Sequence, residues 1–546
     1  MSSSGIEASH PFNDENVASY RQPANDGYLK EKHEEEVLDT FSPPYHDDTI
    51  SVNQTHDSTH RQLRPRHIQL IGIGGTIGTA LYVQIGHGLI NGGPGSLFLA
   101  FTFWCTFILA VTNCMAEMVT YLPISSPFIR FAGRYVDEAF GVAAGYNFFI
   151  FEAALVPFEI VACNIIIHYW SDAVPAGGII SIVIVLYGFI NLFAVRWYGE
   201  SEFYLAMGKV IFDCCPGAFT ELYKTGSLGR FLGFLQCLIQ ASFTIAGPDY
   251  VSMAAGEAQN PRVVMPRAFN GVFYRLTAFF VLGSLAVGIL VPYNDQELKD
   301  AFTNGLPGAA ASPYVVAMNR LQIRILPDIV NAMVLGAAFS AGNSYVYCAS
   351  RSLFGLALEG KAPKFLTKCT KEGVPIYCVC VTLAIALLSF LQVSNNAAVV
   401  LQWFVNLVTA SQLINFSVMA YTFICWKKAC DAQGLDRNTL PHRSFWQPFS
   451  AYYALTGCFI MTFVGGYTVF LPGAWDVPTF LFSYAMVGIF PIIFIGWKIV
   501  KKTKWLKPHE VILRTQEVEE IEEYTRNYVE RPPKTRWHAY VDKIFS

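Results

Sequence analysis

The chain has 546 residues, 53% of them hydrophobic, 15% aromatic and only 14% charged, with a mean hydropathy of +0.35, where a soluble chain carries roughly 25% charged residues. Such a composition belongs in lipid, and a net charge of −3, with the basic residues spread over loops and tails, argues against nucleic acid as a partner. The 13 cysteines include no pair with metal spacing. Those at Cys105, Cys163, Cys237, Cys348 and Cys380 sit inside apolar runs as small hydrophobes, so neither a metal site nor a disulfide framework is expected.

Residues 1–66 are rich in Ser, Asp, Glu, His and Asn, too poor in apolar side chains to offset their own ordering entropy, and read as a disordered cytoplasmic tail. They hold no short apolar core followed by a cleavage site, so the first membrane helix is expected to act as the insertion signal. From Ile68 onward come apolar runs of the length that crosses a bilayer, which takes roughly 20 residues. They lie near 68–89, 97–121, 142–170, 177–196, 203–222, 231–255, 271–292, 326–356, 375–393, 398–426, 451–471 and 477–500. The expected fold is therefore an all-α integral membrane protein of about twelve transmembrane helices over residues 67–500, with a C-terminal tail over 501–546. Basic residues collect on alternate loops (Arg130 and Arg134, Arg262 and Arg267, Lys361 to Lys371, Lys427 and Lys428, Lys498 to Lys504), which puts both termini in the cytoplasm.

Two of the runs are broken. The first reads Ile71-Gly72-Ile73-Gly74-Gly75-Thr76-Ile77-Gly78-Thr79, and each interior glycine costs a helix roughly 1 kcal/mol relative to alanine. Unpaired backbone at that depth survives only where it lines a cavity or is buried in protein. A half-helix restarting after Gly78 would aim its positive N-terminus at an anion, a substrate carboxylate being the natural partner. The sixth run carries the matching break, Ser242-Phe243-Thr244-Ile245-Ala246-Gly247-Pro248-Asp249-Tyr250, whose freed carbonyls suit an ammonium. Two breaks five helices apart fit an inverted repeat of five plus five helices and a small zwitterionic solute. The alternative is that these small residues serve only close helix packing.

The run Gly74-Gly75-Thr76-Ile77-Gly78-Thr79, the segment from Glu202-Phe203 to Lys209, and Ala254-Ala255-Gly256-Glu257-Ala258 with Asn260-Pro261 resemble the fungal amino acid permeases of the amino acid/polyamine/organocation superfamily. The likeness runs from about Arg64 to about Lys507, and Ala246 to Met253 looks most like the dicarboxylic members. The resemblance implies a LeuT-like fold, proton symport at the plasma membrane with the proton gradient as driving force, and no covalent chemistry, catalytic residue or cofactor. It implies that Gly75, Thr76, Ile77, Gly78 and Thr79 meet the substrate carboxylate. Phe243, Thr244, Ile245, Ala246 and Gly247 would supply carbonyls for the amino group and a gating ring, with Asp249 where relatives have glutamate. Lys30 and Lys32 stand in a context similar to the ubiquitin-accepting tails of such permeases, which implies a ubiquitin ligase adaptor as partner. A solvated tail without a partner is the alternative.

Charge inside a span is costly and marks function by default. Glu152 and Glu159 lie seven residues apart, within about 20° of one helix face. Glu159 matches the family's third-helix glutamate and is expected to carry a proton, while Glu152 reads as structural. Lys209 corresponds to the lysine that replaces a bound cation in this family, a second candidate for proton coupling, or else a lysine snorkelling to the interface. Ser340, Asn343 and Thr409 are candidates for the side-chain pocket or for interhelical hydrogen bonds. The fifth run departs from the family: after Lys209-Val210-Ile211 the chain passes straight to Asp213 and Pro216, far short of a span, as though roughly 30 residues were missing. The function expected is proton-coupled uptake of an amino acid, acidic ones favoured. Neutral amino acids or proline, or sensing without transport, are the alternatives, and no enzyme motif is found.

Overall fold

The computed structural model describes residues 68, 79–171, 173–193, 220–224, 226–296, 298–300, 312–323, 325–370, 374–394 and 397–528. The expectations for the N-terminal tail, for the first break at 69–78 and for Lys209 lie outside these residues. The described residues are helical and include no strand.

A short π-helical turn, Ala80–Gln84, leads into α1, Ile85–Tyr121. Its 37 residues would span roughly 55 Å as one straight rod, nearly twice a hydrocarbon core. The chain turns instead at Gly93, whose φ of 77° suits glycine, and Pro94 removes the next donor. The apolar stretch is thereby bent into two helical arms. After the short α2 (Pro127–Tyr135), α3 (Glu138–Ile167) starts where Asp137 accepts a hydrogen bond from the Ala139 N–H at 2.8 Å. Then come α4 (Ala176–Phe193), α5 (Ser227–Thr244), the one-turn α6 (Pro248–Met253), and α7 (Pro261–Arg275), which continues through a π-helical turn into α8 (Leu282–Leu290). The short α9 (Pro313–Arg320) precedes α10 (Leu326–Leu358), α11 (Ile376–Ala386), α12 (Ala397–Ala432), α13 (Phe449–Val464) and α14 (Val477–Lys501).

Eight of these stretches are long and apolar enough to cross a membrane, and Ala176–Leu192 and Phe449–Val464 are shorter apolar helices. Of the twelve expected segments, residues 69–78 of the first and most of the fifth, 203–222, lie outside the described residues. Burial ranks them: 83% of the apolar window of α3 is buried, against 11% for α14. Helix α3 is thus the central post, packed against α10 and α12, while α14 turns most of its apolar surface outward, as a lipid-facing helix does.

Within the expected C-terminal tail, the charged, partly amphipathic pattern of Val511 to Tyr528 suits a membrane surface or a regulator. In the structure its apolar side packs on the protein itself. The Leu506 N–H donates to the Val136 carbonyl at 2.9 Å and Tyr121 Oη to the Leu513 carbonyl at 3.1 Å. In α15 (Gln516–Asn527), Val518 and Ile521 are buried. Glu517 takes hydrogen bonds from Arg130 at 2.8 Å and Arg134 at 2.6 Å, and Glu522 pairs with Arg262 at 3.4 Å. Lys498 pairs with the fully buried Asp137, which also accepts from Thr503 Oγ1 at 2.7 Å. The loop before α13 is pinned in a similar way: Arg437 forks onto the fully buried Glu117 at 2.7 and 2.9 Å, and Ser444 Oγ donates to the Asn113 carbonyl at 2.8 Å.

Candidate functional site

The sixth segment breaks where the sequence requires it. Helix α5 ends at Thr244, Ile245 is extended with φ −98° and ψ 105°, and the chain resumes as helix at Pro248. Proline at the first helical position loses no bond, since that N–H has no intrahelical partner anyway. The Asp249 carboxyl, one residue further on, accepts the Gly247 N–H at 3.2 Å and so caps the restarted helix. Phe243, at the upper edge of the break, meets Phe158 of α3 edge-on at 5.3 Å between ring centroids.

The described part of the first segment begins at Thr79, whose hydroxyl donates to Glu159 Oε2 at 2.8 Å. Thr79 and Glu159 are each about 1% exposed. The third-segment carboxyl is therefore tied to the first described residue after the glycine-rich stretch, although the two residues are 80 apart in sequence. Beside this bond lies a small cavity whose lining includes Ala80, Phe158, Glu159, Phe243, Thr244 and Ala246. Phe151 and Leu155 of α3, Tyr250, Tyr345 of α10, and Val408 and Gln412 of α12 complete it. Thr244 Oγ1 and Gln412 Nε2 have no hydrogen-bond partner. Buried polar groups are ordinarily paired, so these two are free to meet a polar solute.

Of the residues singled out in the sequence, Glu159, Phe243, Thr244 and Ala246 line this cavity and Thr79 borders it through its hydrogen bond. Ile245, Gly247 and Asp249 form the break itself without lining the cavity. Gly75, Thr76, Ile77, Gly78 and Lys209 lie outside the described residues. Ser340, Asn343 and Thr409 are not among the lining residues. Asn343 accepts from Asn191 of α4 at 2.7 Å, and Thr409 Oγ1 bonds back to the Val405 carbonyl at 2.6 Å, so both serve helix packing and backbone pairing. Gln412, three residues after Thr409 and near the same helix face, is among the polar residues of its segment that the sequence offers for the pocket, and it does line the cavity. Tyr250 and Tyr345 escaped sequence reasoning, Tyr345 lying two residues from Asn343 and so on a different face of α10.

Glu152, two turns before Glu159 on α3, is fully buried. Among the described residues no cluster of His, Cys, Asp and Glu is arranged to hold a metal ion.

A model of the amino acid permease family matches residues 67–212 and 215–510. The general amino acid permease AGP2 of Saccharomyces cerevisiae is 46% identical, over 88% of this chain and 86% of the relative. A proline-specific permease of Emericella nidulans is 37% identical, over 88% and 92%, and the dicarboxylic amino acid permease of Saccharomyces cerevisiae 33%, over 87% and 83%. The family match is interrupted at 213–214, the point where the fifth segment falters. The alignment with the 46% identical permease runs over 511 positions while using 88% of 546 residues. That is about 480 residues, so about 30 positions of the relative have no counterpart here, the shortfall expected from the length of a membrane span.

Proposed function

Because the chain belongs to the amino acid permease family, we propose that it is a secondary active transporter that takes up L-amino acids across the plasma membrane together with protons, both termini facing the cytoplasm. The observation that carries the reading is the Thr79 to Glu159 hydrogen bond at the wall of the cavity. It connects a protonatable group on the central post to the broken segment that would hold the substrate carboxylate. Binding the carboxylate would draw on the N–H groups at 75–79, and Thr244 and Ala246 would present the sixth-segment break to the amino group. A change in the protonation of Glu159 then alters the bond that tethers the restarted helix, which couples the proton to substrate binding.

The expected preference for acidic amino acids rested on the likeness of Ala246 to Met253 to the dicarboxylic permeases; an acidic side chain would want a cationic partner, and the lining residues supply a carboxyl and no cation. Named relatives include general, proline-specific, lysine-specific and dicarboxylic permeases, so family membership does not choose among side chains. An L-amino acid with a neutral side chain is what the mainly apolar lining suits best. The basic surfaces that the C-terminal carboxylates cover support the cytoplasmic placement of the termini.

The test is uptake of radiolabelled glutamate, aspartate, proline, leucine and lysine by cells that lack their own permeases and express the full chain at their surface. Uptake that rises as external pH falls from 7 to 5 is the expected result. Surface-localised protein that accumulates none of the five defeats the transporter reading in favour of a sensor. Glu159→Gln is expected to abolish pH-driven accumulation and to retain exchange of labelled for unlabelled substrate.

A further inference from the structure

Several basic residues near the helix ends read as cytoplasmic are matched by carboxylates: Arg130 and Arg134 by Glu517, Arg262 by Glu522, Lys361 by Glu359 and Lys427 by Asp431. The end of α14 is different. The run Lys498-Ile499-Val500-Lys501-Lys502-Thr503-Lys504-Trp505-Leu506-Lys507 holds five lysines in ten positions and no acidic residue. Asp137 takes Lys498. Lys501, Lys502, Lys504 and Lys507 are exposed, and none of their ammonium groups pairs with a carboxylate among the described residues.

The fold keeps these lysines beside the helix ends instead of letting them trail away. Lys502 takes the left-handed conformation (φ 52°, ψ 37°), so α14 stops there and the chain turns. Beyond the turn, Thr503 Oγ1 donates to Asp137 at 2.7 Å and the Leu506 N–H to the Val136 carbonyl at 2.9 Å. Trp505 returns to the helices, its ring centroid 6.4 Å from Phe140 of α3, 6.1 Å from Tyr421 of α12 and 6.3 Å from Phe494 of α14. The Lys498 ammonium lies over the Phe494 and Trp505 rings, 5.4 and 5.5 Å from their centroids. Tryptophan favours the headgroup level of a bilayer, so the pinned ring sets the turn in that layer. Immediately before it, the lipid-facing side of α14 exposes Ile495 by 52%, Ile499 by 70% and Val500 by 76%. Apolar surface for acyl chains thus ends directly at the unpaired ammonium groups.

We propose that the turn from Lys501 to Lys507 binds the headgroup of an anionic phospholipid in the cytoplasmic leaflet. The proposal rests on the cytoplasmic placement of the termini in the reading above and on no part of the transport step. Lysine ammonium groups are compact point charges that need no fixed fork geometry, which suits a mobile phosphate. The acyl chains lie along Ile495, Ile499 and Val500, and the lysines meet the net negative charge that a zwitterionic headgroup lacks. The chain's own acidic segment around Glu31, Glu34, Glu35 and Glu36 would satisfy the lysines but leave Ile499 and Val500 bare. A lipid covers both surfaces at once.

The experiment titrates the purified full chain in detergent micelles with phosphatidylserine and, separately, phosphatidylcholine, and reads binding from thermophoresis of a fluorescent N-terminal label. Phosphatidylserine is expected to bind at least about tenfold more tightly, since each lysine near an anionic headgroup contributes roughly fivefold. The variant combining Lys501→Gln, Lys502→Asn, Lys504→Gln and Lys507→Gln is expected to lose that preference and to keep its affinity for phosphatidylcholine, which shows that it folds. Asparagine serves at 502 because it tolerates the left-handed turn. A control that removes four exposed charges elsewhere, Lys224→Gln, Lys364→Gln, Lys368→Gln and Arg526→Gln, is expected to keep the preference within about twofold. Equal affinity for the two lipids overturns the proposal, as does a control that loses the preference as fully as the lysine variant. Displacement of phosphatidylserine by inorganic phosphate at the same concentration assigns a free anion instead, and displacement by a peptide of residues 28–40 assigns the acidic segment; either result also overturns it. The topology is read separately: an epitope after Ser546 is expected to meet antibody only in permeabilised cells. Labelling of intact cells defeats the cytoplasmic placement, and with it the leaflet assigned here, whatever lipid the purified chain prefers.

Discussion

Removing the Arg437 side chain tests how far the loop between α12 and α13 depends on a single buried charge. Glu117 is fully buried at the end of α1, and Arg437, 14% exposed, meets both of its oxygens at 2.7 and 2.9 Å. Donating hydrogen bonds to Glu117 raises the Arg437 pKa above its ordinary value. In Arg437→Ala only the Ser444 N–H, at 3.4 Å, remains to the carboxylate. Breaking a buried pair from one side costs about 3–5 kcal/mol, because the stranded charge has lost its partner and stays out of water. Removing both charges in Glu117→Gln with Arg437→Met is expected to recover most of that loss. The assay is the fraction of detergent-solubilised transporter still monodisperse after a temperature ramp, compared for the two single variants, the double variant and the unaltered chain. An Arg437→Ala protein within about 1 kcal/mol of the unaltered one, the range of an exposed pair, would refute the argument. So would a double variant as unstable as Arg437→Ala alone.

Two other predictions concern the site and the same loop. In Gly342→Ala the new Cβ would lie 2.1 Å from Tyr187 Oη and 3.1 Å from Glu159 Cβ, forcing α10 away from α3 at about 1–3 kcal/mol. Uptake is expected to fall about tenfold or more with surface delivery retained, and normal uptake would show that Tyr187 moves aside freely. The pKa of His442, beside Ser444, is lowered by burial, with Glu117 opposing the shift. The fold therefore favours the neutral ring, and this contribution is fully present above the ordinary histidine value near 6.5 and lost as pH falls below it. Thermal stability measured from pH 7 to pH 5 is accordingly expected to decline more steeply in the unaltered protein than in His442→Gln, and parallel curves would remove His442 from the acid response.

The parts of this molecule that were legible in sequence are those governed by local physics. Apolar length located the crossings, and Gly247 with Pro248 located the second break, because a lost donor and a poor helix former act at their own position. The turn at Gly93 falls in the gap between the runs read at 68–89 and 97–121. Glu159 stood out because a carboxyl within an apolar run is costly. What stayed hidden depends on partners far away in the chain. Asn343 and Thr409 have the composition of pocket residues, but Asn191 and the Val405 carbonyl already occupy them. Tyr250 and Tyr345 look like ordinary aromatic residues until α6 and α10 bring them together. The docking of residues 506–527 was hidden too: the amphipathic pattern announces an apolar face, and only the tertiary structure says that protein covers it.

The pairing of Asp137 with Lys498 joins residues 361 positions apart. A ribosome adding about 5–20 residues per second needs roughly 20 to 70 s to cover that distance. During that interval Asp137 has no lysine, and Arg130 and Arg134 have no Glu517. The central post must therefore enter the bilayer with its cytoplasmic end still hydrated or attended by other factors, and its final contacts form only when the last helix arrives. A nascent chain halted before Lys498 leaves Asp137 without its lysine and Arg134 without Glu517 at the membrane surface, a mark by which unfinished molecules differ from finished ones.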